Sequence, residues 1–435
     1  MTTHKRYWIF GLMFVAIFIN YMDRVNFAVS IPAIRHQFNF SLEQMGTIAF
    51  VFTIVYALFN FPGGYIADRL GIRLGMVASL GWWSLFTIIT AFSGSFMGWL
   101  WIRGLMGAGE APIWAINSKA SRTWAAPQER SRAFTIPGSG QYLGPTIGTL
   151  LAGWIVVSFG WQWSFISFGI LGMVFLPIWW AVVRNTPKDD PTVSDTEREK
   201  IGVPLTPARK GDWQAAFRVV FSRTGIGVLL TFLTFGYILF TFITWVPSYM
   251  YYTFHIGIIK SAAWSSIGFA AGFVGFILSG PFNDALTRRF DRLKARRIGA
   301  GVPMAAMIVA VALSLWSASS HSAFGTAMFI GLAQFFMNLT VGSWAVNAID
   351  IAPSPESSGL VYGIYNGVLN VMGAFNALIL TWLATRWGFP AAFGSAIFFM
   401  GLFLVAILFV IDRSSYTRLV AAGSAAAEVA ATRDK

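Results

Sequence analysis

The sequence predicts an all-α integral membrane protein with twelve transmembrane helices in two six-helix bundles. Three observations lead to this prediction: the composition, the number of long apolar runs, and a short signature that occurs twice. Of the 435 residues, 56% are hydrophobic and 11% are charged, and the mean hydropathy is +0.63. Soluble domains carry about 25% charged residues. The composition is therefore that of a chain embedded in lipid.

Long apolar runs divide the chain into two halves. A transmembrane helix needs about 20 apolar residues, and twelve such runs flank a central polar stretch in two sets of six. This pattern predicts an amino-terminal bundle at 1–184, a linker at 185–223, a carboxy-terminal bundle at 224–412 and a tail at 413–435. The runs fall at roughly 8–32, 45–66, 74–94, 97–118, 133–157, 162–183, 224–252, 262–284, 298–317, 322–349, 358–383 and 388–411.

The positive charge of the chain indicates its orientation. There are 31 Lys and Arg against 18 Asp and Glu, for a net charge of +13. The basic residues concentrate in alternate loops, and the positive-inside rule then places both termini in the cytoplasm. In this orientation the outer loops hold only Arg35, Lys260 and Arg386. The role of basic loops in fixing the membrane topology is sufficient to explain the net positive charge, so we expect no nucleic-acid partner.

Several kinds of chemistry are excluded or not expected. The chain has no cysteine, which excludes disulfides and thiolate ligands, and its four histidines are scattered without metal-ligand spacing. No Gly-x-x-x-x-Gly-Lys-Ser/Thr loop is present, and Ser, His and Asp show no catalytic spacing. We therefore expect no metal, no cofactor and no enzymatic activity. The first apolar run is too long for a cleaved signal peptide.

A signature of glycine, aspartate and basic residues occurs once in each half. The first copy is Gly64-Tyr-Ile-Ala-Asp68-Arg69-Leu-Gly71-Ile-Arg73, and the second is Gly280-Pro-Phe-Asn-Asp284-Ala-Leu-Thr-Arg288-Arg289. A repeat at corresponding loops of two six-helix halves is typical of transporters built from parallel repeats.

The first copy resembles the signature of the major facilitator superfamily between its second and third helices. The resemblance implies two bundles around a central cavity that work by alternating access. It also implies that Asp68, Arg69, Arg73 and, in the repeat, Asp284 form a cytoplasmic gate of charged side chains. The alternative is that Arg69 and Arg73 only determine topology.

A narrower resemblance covers nearly the whole chain. The segments Tyr21-Met-Asp-Arg-Val-Asn26, Phe61-Pro-Gly-Gly64, Arg103-Gly-Leu-Met-Gly-Ala-Gly-Glu110-Ala-Pro112 and Trp245-Val-Pro-Ser-Tyr249 are similar to the anion:cation symporter branch. That branch imports sugar acids such as galactonate and glucarate, and aromatic acids such as phthalate, into bacteria. The resemblance implies a multi-pass protein of the bacterial inner membrane that takes up a small organic anion with protons. We expect it to act as a monomer.

Asp23 and Arg24 lie inside the first apolar run. A charge at the bilayer centre costs about 2.5–3.5 kcal/mol on insertion scales, so such residues usually mark a functional pathway. Guanidinium is permanently charged and can bind carboxylate through two hydrogen bonds, which makes Arg24 the candidate substrate anchor. The alternative is a structural pair with Asp23, but adjacent helical positions point about 100° apart.

Arg103 and Glu110 are seven residues apart and share one face of the fourth apolar run. An acid in such a place can take and release a proton as its surroundings change. The resemblance implies that Asp23 and Glu110 carry protons and that Arg103 restrains Glu110. The alternative is a static ion pair between helices.

Four uncharged polar residues complete the predicted site. By resemblance, Tyr56, Gln141, Ser343 and Asn366 contact the substrate. The charges at membrane depth all lie in the first half. This distribution suits a substrate whose carboxylate binds the first half and whose body is read by the second.

Two other functions remain open at this stage. Gly140-Gln-Tyr-Leu-Gly144-Pro145-Thr-Ile-Gly148 is close to a pattern of superfamily antiporters. Glycines at this spacing also simply let helices pack closely. A proton-driven exporter of drugs or metabolites is therefore the alternative function. A membrane sensor is a third, which the short tail after Asp412 disfavours.

Overall fold

The computed structural model describes residues 4–126, 129–201, 213–353 and 358–421, and within them the chain is helical without any strand. The helices of the first part are α1 (Lys5–Phe38), α2 (Leu42–Thr90), α3 (Phe96–Glu110), α4 (Ile113–Trp124), α5 (Arg130–Gly138), α6 (Gly140–Phe159), α7 (Trp161–Val182) and α8 (Asp195–Ile201). The helices of the second part are α9 (Trp213–Val220), α10 (Arg223–Phe254), α11 (Ile258–Thr287), α12 (Arg292–Ser319), α13 (Ala323–Leu339), α14 (Val341–Trp344), α15 (Asn347–Asp350) and α16 (Ser358–Val405), followed by a π-helical turn at Ala406–Val410.

Ten helical segments within these residues are long and apolar enough to cross a membrane, with two segments in α2, one formed by α5 with α6 and one formed by α13 with α14. The count differs from the twelve predicted runs for two reasons. The last two runs are continuous in α16, which bends at Gly388 with φ 81°. The fourth run is divided at Pro112 into α3 and α4, each too short to span alone.

A glycine of the repeated signature determines the course of α2. Gly71 has φ 72° and bends α2, which contains two candidate spans, Leu42–Asn60 and Arg69–Thr90. The Asn185 amide occupies the place where a side chain at this position would lie. Asn185 Oδ1 accepts the Arg73 backbone N–H at 3.0 Å. Positive φ and a filled neighbouring space both require glycine here.

The chain forms two compact units. The first comprises Met1–Thr206 together with Thr244–Ser266, and the second comprises Pro207–Ile243 together with Ile267–Lys435. Both α10 and α11 therefore contribute residues to each unit. A cluster of buried apolar side chains in the first unit contains residues of α1, α6, α7 and α11, namely Met22, Val29, Ala152, Phe168 and Ala262.

Glycines allow the helices of the first unit to pack closely. A Cβ atom on Gly144 of α6 would lie 2.5 Å from the Phe18 carbonyl oxygen of α1, and Gly140 and Gly148 meet the same helix. The glycine pattern of α6 thus acts as a packing surface for α1. This contact fixes the part of α1 that carries Asp23 and Arg24.

Aromatic side chains fill the second unit. Trp344 is buried with its ring centroid 4.6 Å from that of Phe232 and 4.4 Å from that of Phe235. Tyr237 stacks on Phe399 with 3.8 Å between ring centroids. These contacts join α10, α14 and α16 by burial of large apolar rings, which stabilises them strongly.

The first turn of α1 is bound to the central linker. The Glu197 carboxylate of α8 accepts the backbone N–H groups of Lys5 and Arg6 at 3.2 and 3.3 Å, and also pairs with the Arg6 guanidinium at 3.1 Å. Arg6 pairs with Glu129 at 3.0 Å. Burial raises the pKa of Glu129, but hydrogen bonds and charges from Arg6 and Lys200 outweigh it and hold this pKa below its usual range.

We expect Gly144→Ala to lower the free energy of unfolding by about 1–3 kcal/mol, because α6 must move away from α1. The matched control is Gly11→Ala, since nothing lies within 4 Å of a Cβ atom at that position. Thermal unfolding in detergent, followed by intrinsic fluorescence, measures both variants. Equal midpoints for the two variants would show that the α1–α6 contact tolerates a side chain.

Candidate substrate and proton site

The charged side chains at membrane depth meet in the first unit, where α1, α2 and α3 contribute to one site. Arg24 Nε of α1 donates to Glu110 Oε2 of α3 at 2.9 Å. The Arg24 side chain is 9% exposed and the Glu110 side chain is fully buried. Each group still has an unused atom, since Arg24 Nη2 and Glu110 Oε1 are buried without a hydrogen-bond partner. The pair therefore has hydrogen-bonding capacity left for a ligand.

Three aromatic rings surround the Arg24 guanidinium. Its central carbon lies 4.7 Å from the ring centroid of Tyr21, 4.5 Å from that of Tyr56 and 5.5 Å from that of Phe52. Each ring face attracts a cation by about 0.5–2 kcal/mol, more when water is excluded. The rings hold the guanidinium in place while leaving its N–H edges available for oxygen acceptors.

Asp23 occupies a separate position on α1. Its carboxyl group is fully buried. Neither oxygen has a partner at hydrogen-bond distance and angle, but the Trp83 indole N–H lies close enough to interact with the carboxyl group. Glu110 and Arg103 are the charged side chains that interact electrostatically with it.

Arg103 contacts neither acid directly. Its guanidinium lies 4.5 Å from the ring centroids of both Phe27 and Phe52, and Nη1 approaches the Met106 sulfur at 3.1 Å. It interacts electrostatically with both Glu110 and Asp23. Sequence spacing paired Glu110 with Arg103, whereas the structure pairs it with Arg24. Seven helical residues separate two side chains by about 10 Å along the axis, and Arg24 from α1 lies at the level of Glu110.

The four charges balance each other. Arg24 and Arg103 are permanently positive, and Asp23 and Glu110 can each be negative or neutral. Because charge is costly at membrane depth, the cluster is most stable when its positive and negative charges match.

Sequence analysis missed three polar residues of α1. Asn20, Asn26 and Ser30 are fully buried and, with Asp23, follow each other at intervals of three or four residues on one face. The side-chain atoms of Asn26 and Ser30 have no hydrogen-bond partner. The three- and four-residue spacing of polar residues within an apolar run was the signal that could have found them.

The other predicted contacts are more dispersed. Gln141 lies half-buried in the first turn of α6 in the first unit, whereas Ser343 and Asn366 belong to the second unit. The Ser343 hydroxyl donates to Asn283 Oδ1 at 3.2 Å, so its donor is already used. Asn366 is half-buried on α16. Among the residues that the structure describes, no group of His, Asp and Glu could hold a metal ion.

Comparison with known proteins identifies the family. The profile described as Major Facilitator Superfamily matches residues 13–377. The chain belongs to this superfamily. It is a transporter rather than an enzyme, and it is a multi-pass protein of the inner membrane that carries a small-molecule substrate.

Several curated superfamily members resemble the chain over most of its length. A hexuronate transporter of Bacillus subtilis (strain 168) is 29% identical over 88% of this chain and 89% of its own. A probable galactarate/D-glucarate transporter of Escherichia coli (strain K12) is 28% identical over 93% and 92%. A D-galactonate transporter of Escherichia coli O6:H1 is 28% identical over 89% and 91%. All three relatives are named as transporters of sugar acids.

Solved superfamily structures confirm the fold. The structure of a bacterial homologue of the human lysosomal transporter Spinster has a TM-score of 0.69 at 18% identity, and covers 98% of this chain and 99% of that chain. A D-xylose–proton symporter has a TM-score of 0.67 at 16% identity, and covers 91% and 97%.

The superfamily signature makes different contacts in the two units. In the first unit, Arg73 donates to the Trp180 carbonyl at 2.7 Å and lies 3.9 Å from its ring centroid. Arg69 is exposed, and the Asp68 side chain lies outside the described side chains. In the second unit Asp284 is exposed, and the adjacent Asn283 makes the contact between helices.

That contact belongs to a cluster centred on Arg296. Its Nη1 donates to Asn283 Oδ1 at 2.7 Å, and its Nη2 pairs with Asp350 at 3.2 Å. The Tyr416 hydroxyl also donates to Asp350 at 2.9 Å. The second copy of the signature is thus tied to α12, to α15 and to the segment after α16.

We expect a double-mutant cycle on thermal stability to couple Arg24 to Glu110 more strongly than Arg103 to Glu110. The substitutions are Glu110→Gln, Arg24→Gln and Arg103→Gln, alone and in pairs. Contacting charges typically couple by about 0.5–3 kcal/mol, and only Arg24 contacts Glu110. Equal or stronger coupling of Arg103 would contradict the pairing described above.

Proposed function

We propose that this transporter imports a small organic anion together with protons by alternating access. The observation that carries the proposal is the Arg24–Glu110 pair, which is buried, held among aromatic rings and has an unused N–H group on Arg24. Guanidinium is suited to carboxylate because its N–H groups match the two oxygens. An anionic substrate is the ligand that such a group binds best.

Coupling follows from competition for Arg24. In the structure Glu110 occupies this guanidinium, and a substrate carboxylate would take its place. Glu110, still buried, would then lose its direct partner and take up a proton, which restores the balance of the four charges. Release of the substrate would reverse both steps. Asp23, buried in the same cluster of charges, is the second proposed proton carrier.

The names of the relatives favour a sugar acid over an aromatic carboxylate such as phthalate. Hexuronate, galactarate, glucarate and galactonate all carry a carboxylate and several hydroxyl groups. Amide and hydroxyl side chains pair with hydroxyl groups, and Gln141, Tyr56 and Asn366 are the proposed contacts. Ser343 would first have to release Asn283. For the antiporter alternative, the glycine pattern of α6 gives no support, because its glycines pack against α1.

We also propose the following topology. The bend at Gly388 divides α16 into two passes, and α3 and α4 together form one more, so that the ten candidate spans become twelve passes. These passes form bundles at 1–184 and 224–412, and both termini lie in the cytoplasm. The linker 185–223 and the tail 413–435 then lie on the cytoplasmic side, beside the proposed gate of Asp68, Arg69, Arg73 and Asp284. We propose that the transporter functions as a monomer.

The test is uptake into proteoliposomes of a panel of labelled acids: glucuronate, galactarate, galactonate and phthalate. An imposed inward proton gradient should drive accumulation of at least one sugar acid. Arg24→Lys should abolish most of this uptake, because ammonium cannot form the two parallel hydrogen bonds. The matched control is Arg386→Lys, since Arg386 is also placed over an aromatic ring, that of Trp382, but is exposed.

Two results would contradict the proposal separately. Uptake that ignores the proton gradient would exclude proton coupling while leaving anion transport intact. Uptake by Arg24→Lys equal to that of the parent protein would exclude Arg24 as the carboxylate anchor.

We expect Tyr56→Leu to lower the substrate affinity more than Tyr56→Phe, which removes only the proposed hydroxyl contact and keeps the ring against Arg24. The structure shows the Tyr56 ring against Arg24, and loss of a cation–π contact costs about 0.5–2 kcal/mol, or roughly twofold to thirtyfold in affinity. Binding of the labelled sugar acid to purified protein measures this difference. An equal loss in both variants would instead assign the role to the hydroxyl group.

A further inference from the structure

The short helix α9 has two different apolar faces. Ala216, Val219 and Val220 are buried, and α9 contacts α16 in the second unit. Trp213, Phe217 and Phe221 recur every four residues and are 52, 43 and 65% exposed. One face therefore holds the helix to the protein, and the other turns three large aromatic side chains away from it.

The exposed aromatic side chains form a continuous stripe, which we call the aromatic stripe of Trp213, Phe217 and Phe221. Their ring centroids are 6.0 and 6.2 Å apart, and consecutive rings are stacked. A contiguous apolar surface of this kind marks an interaction site, because isolated exposed residues would not align in this way.

The position of α9 at the start of α10 indicates what covers the stripe. Only Phe221 and Ser222 separate the two helices. Ser222 Oγ donates to the Val219 carbonyl at 2.6 Å and accepts the Gly225 N–H at 3.0 Å. Gly225 packs directly on the Val219 and Val220 carbonyls, where no side chain would fit. The connection between α9 and α10 is therefore fixed.

The exposed apolar surface continues from α9 onto a membrane-spanning helix. α10 is one of the candidate spans. Ile226 in its first turn is the next large apolar side chain after Phe221 that is exposed. A helix joined rigidly to the end of a transmembrane helix lies close to the membrane–water interface. Trp and other aromatic side chains are enriched at that level of a bilayer.

Basic residues flank the stripe on one side. Arg218 follows Phe217, Arg223 begins α10, and both are exposed. At 100° per residue, Gln214 and Arg218 border the aromatic stripe on the side away from the buried face. An aromatic face beside a basic polar face is the arrangement of interfacial helices, and Lys or Arg near an anionic leaflet contributes attraction.

We propose that α9 is a docking surface for anionic phospholipids in the leaflet where α10 begins. The aromatic stripe lies at the boundary of headgroups and acyl chains, and Arg218 and Arg223 contact the lipid phosphates. This role is independent of substrate transport, and it gives the linker a fixed depth in the membrane.

The absence of cysteine from the chain makes the depth of α9 directly measurable. Single-cysteine variants Phe217→Cys and Phe221→Cys carry a spin label on the stripe, and Thr196→Cys carries it on the exposed surface of α8 as the control. In phosphatidylglycerol-containing liposomes, the two stripe labels should be more accessible to oxygen than to a water-soluble nickel complex. The label at position 196 should show the reverse. Equal accessibility to the nickel complex at all three positions would overturn the proposal.

The lipid charge is tested with Arg218→Gln, which should lower the preference for phosphatidylglycerol over phosphatidylcholine by about fivefold. Native mass spectrometry of purified protein counts the retained lipids, and Arg386→Gln serves as the control for an exposed arginine elsewhere. An unchanged preference in Arg218→Gln would overturn the anionic-lipid assignment. A stripe label that becomes protected in detergent upon dimer formation would assign the surface to a second copy instead.

Discussion

A buried ion pair between two helices, Arg24 with Glu110, is the interaction on which the site depends. Its charges lie at membrane depth, where neither would be stable without the other or another group of opposite charge. The pair is incompletely satisfied, since one N–H group and one carboxylate oxygen have no partner. Arg24 needs a negative partner at this depth, and it has a free N–H group that can bind a second anion. A substrate carboxylate could therefore replace Glu110 on Arg24, and this replacement is the basis of the proposed coupling.

The surrounding structure keeps this pair in register. The glycines of α6 let this helix pack against α1 next to the turn that carries Asp23 and Arg24. The Phe52 ring contacts both guanidinium groups, at 5.5 Å from Arg24 and 4.5 Å from Arg103. The same ring therefore attracts both guanidinium groups. Contacts of uncharged groups, the α6 glycines and the Phe52 ring, thus determine which charged side chains lie close together.

Sequence alone predicted the helical membrane fold and the buried charges, because apolar runs and charges within them are local features. It did not predict which charges pair. The seven-residue spacing of Arg103 and Glu110 places them on one face but two turns apart, and only tertiary structure brings Arg24 to Glu110. The break at Pro112 divides one apolar run into two short helices, and α16 joins two apolar runs across a bend at Gly388. The count of spans therefore differs from the count of runs. Ser343 resembled a substrate contact, yet its donor is used by Asn283.

Proton uptake on substrate binding is the most direct measurement of the central claim, that a substrate carboxylate displaces Glu110 from Arg24. Purified transporter in weakly buffered solution with a pH indicator would be mixed with a sugar acid that it binds. The account predicts that binding consumes protons in the parent protein, and that Glu110→Gln still binds the acid but consumes fewer. Binding without proton uptake in the parent protein, or with the same uptake in Glu110→Gln, would contradict it.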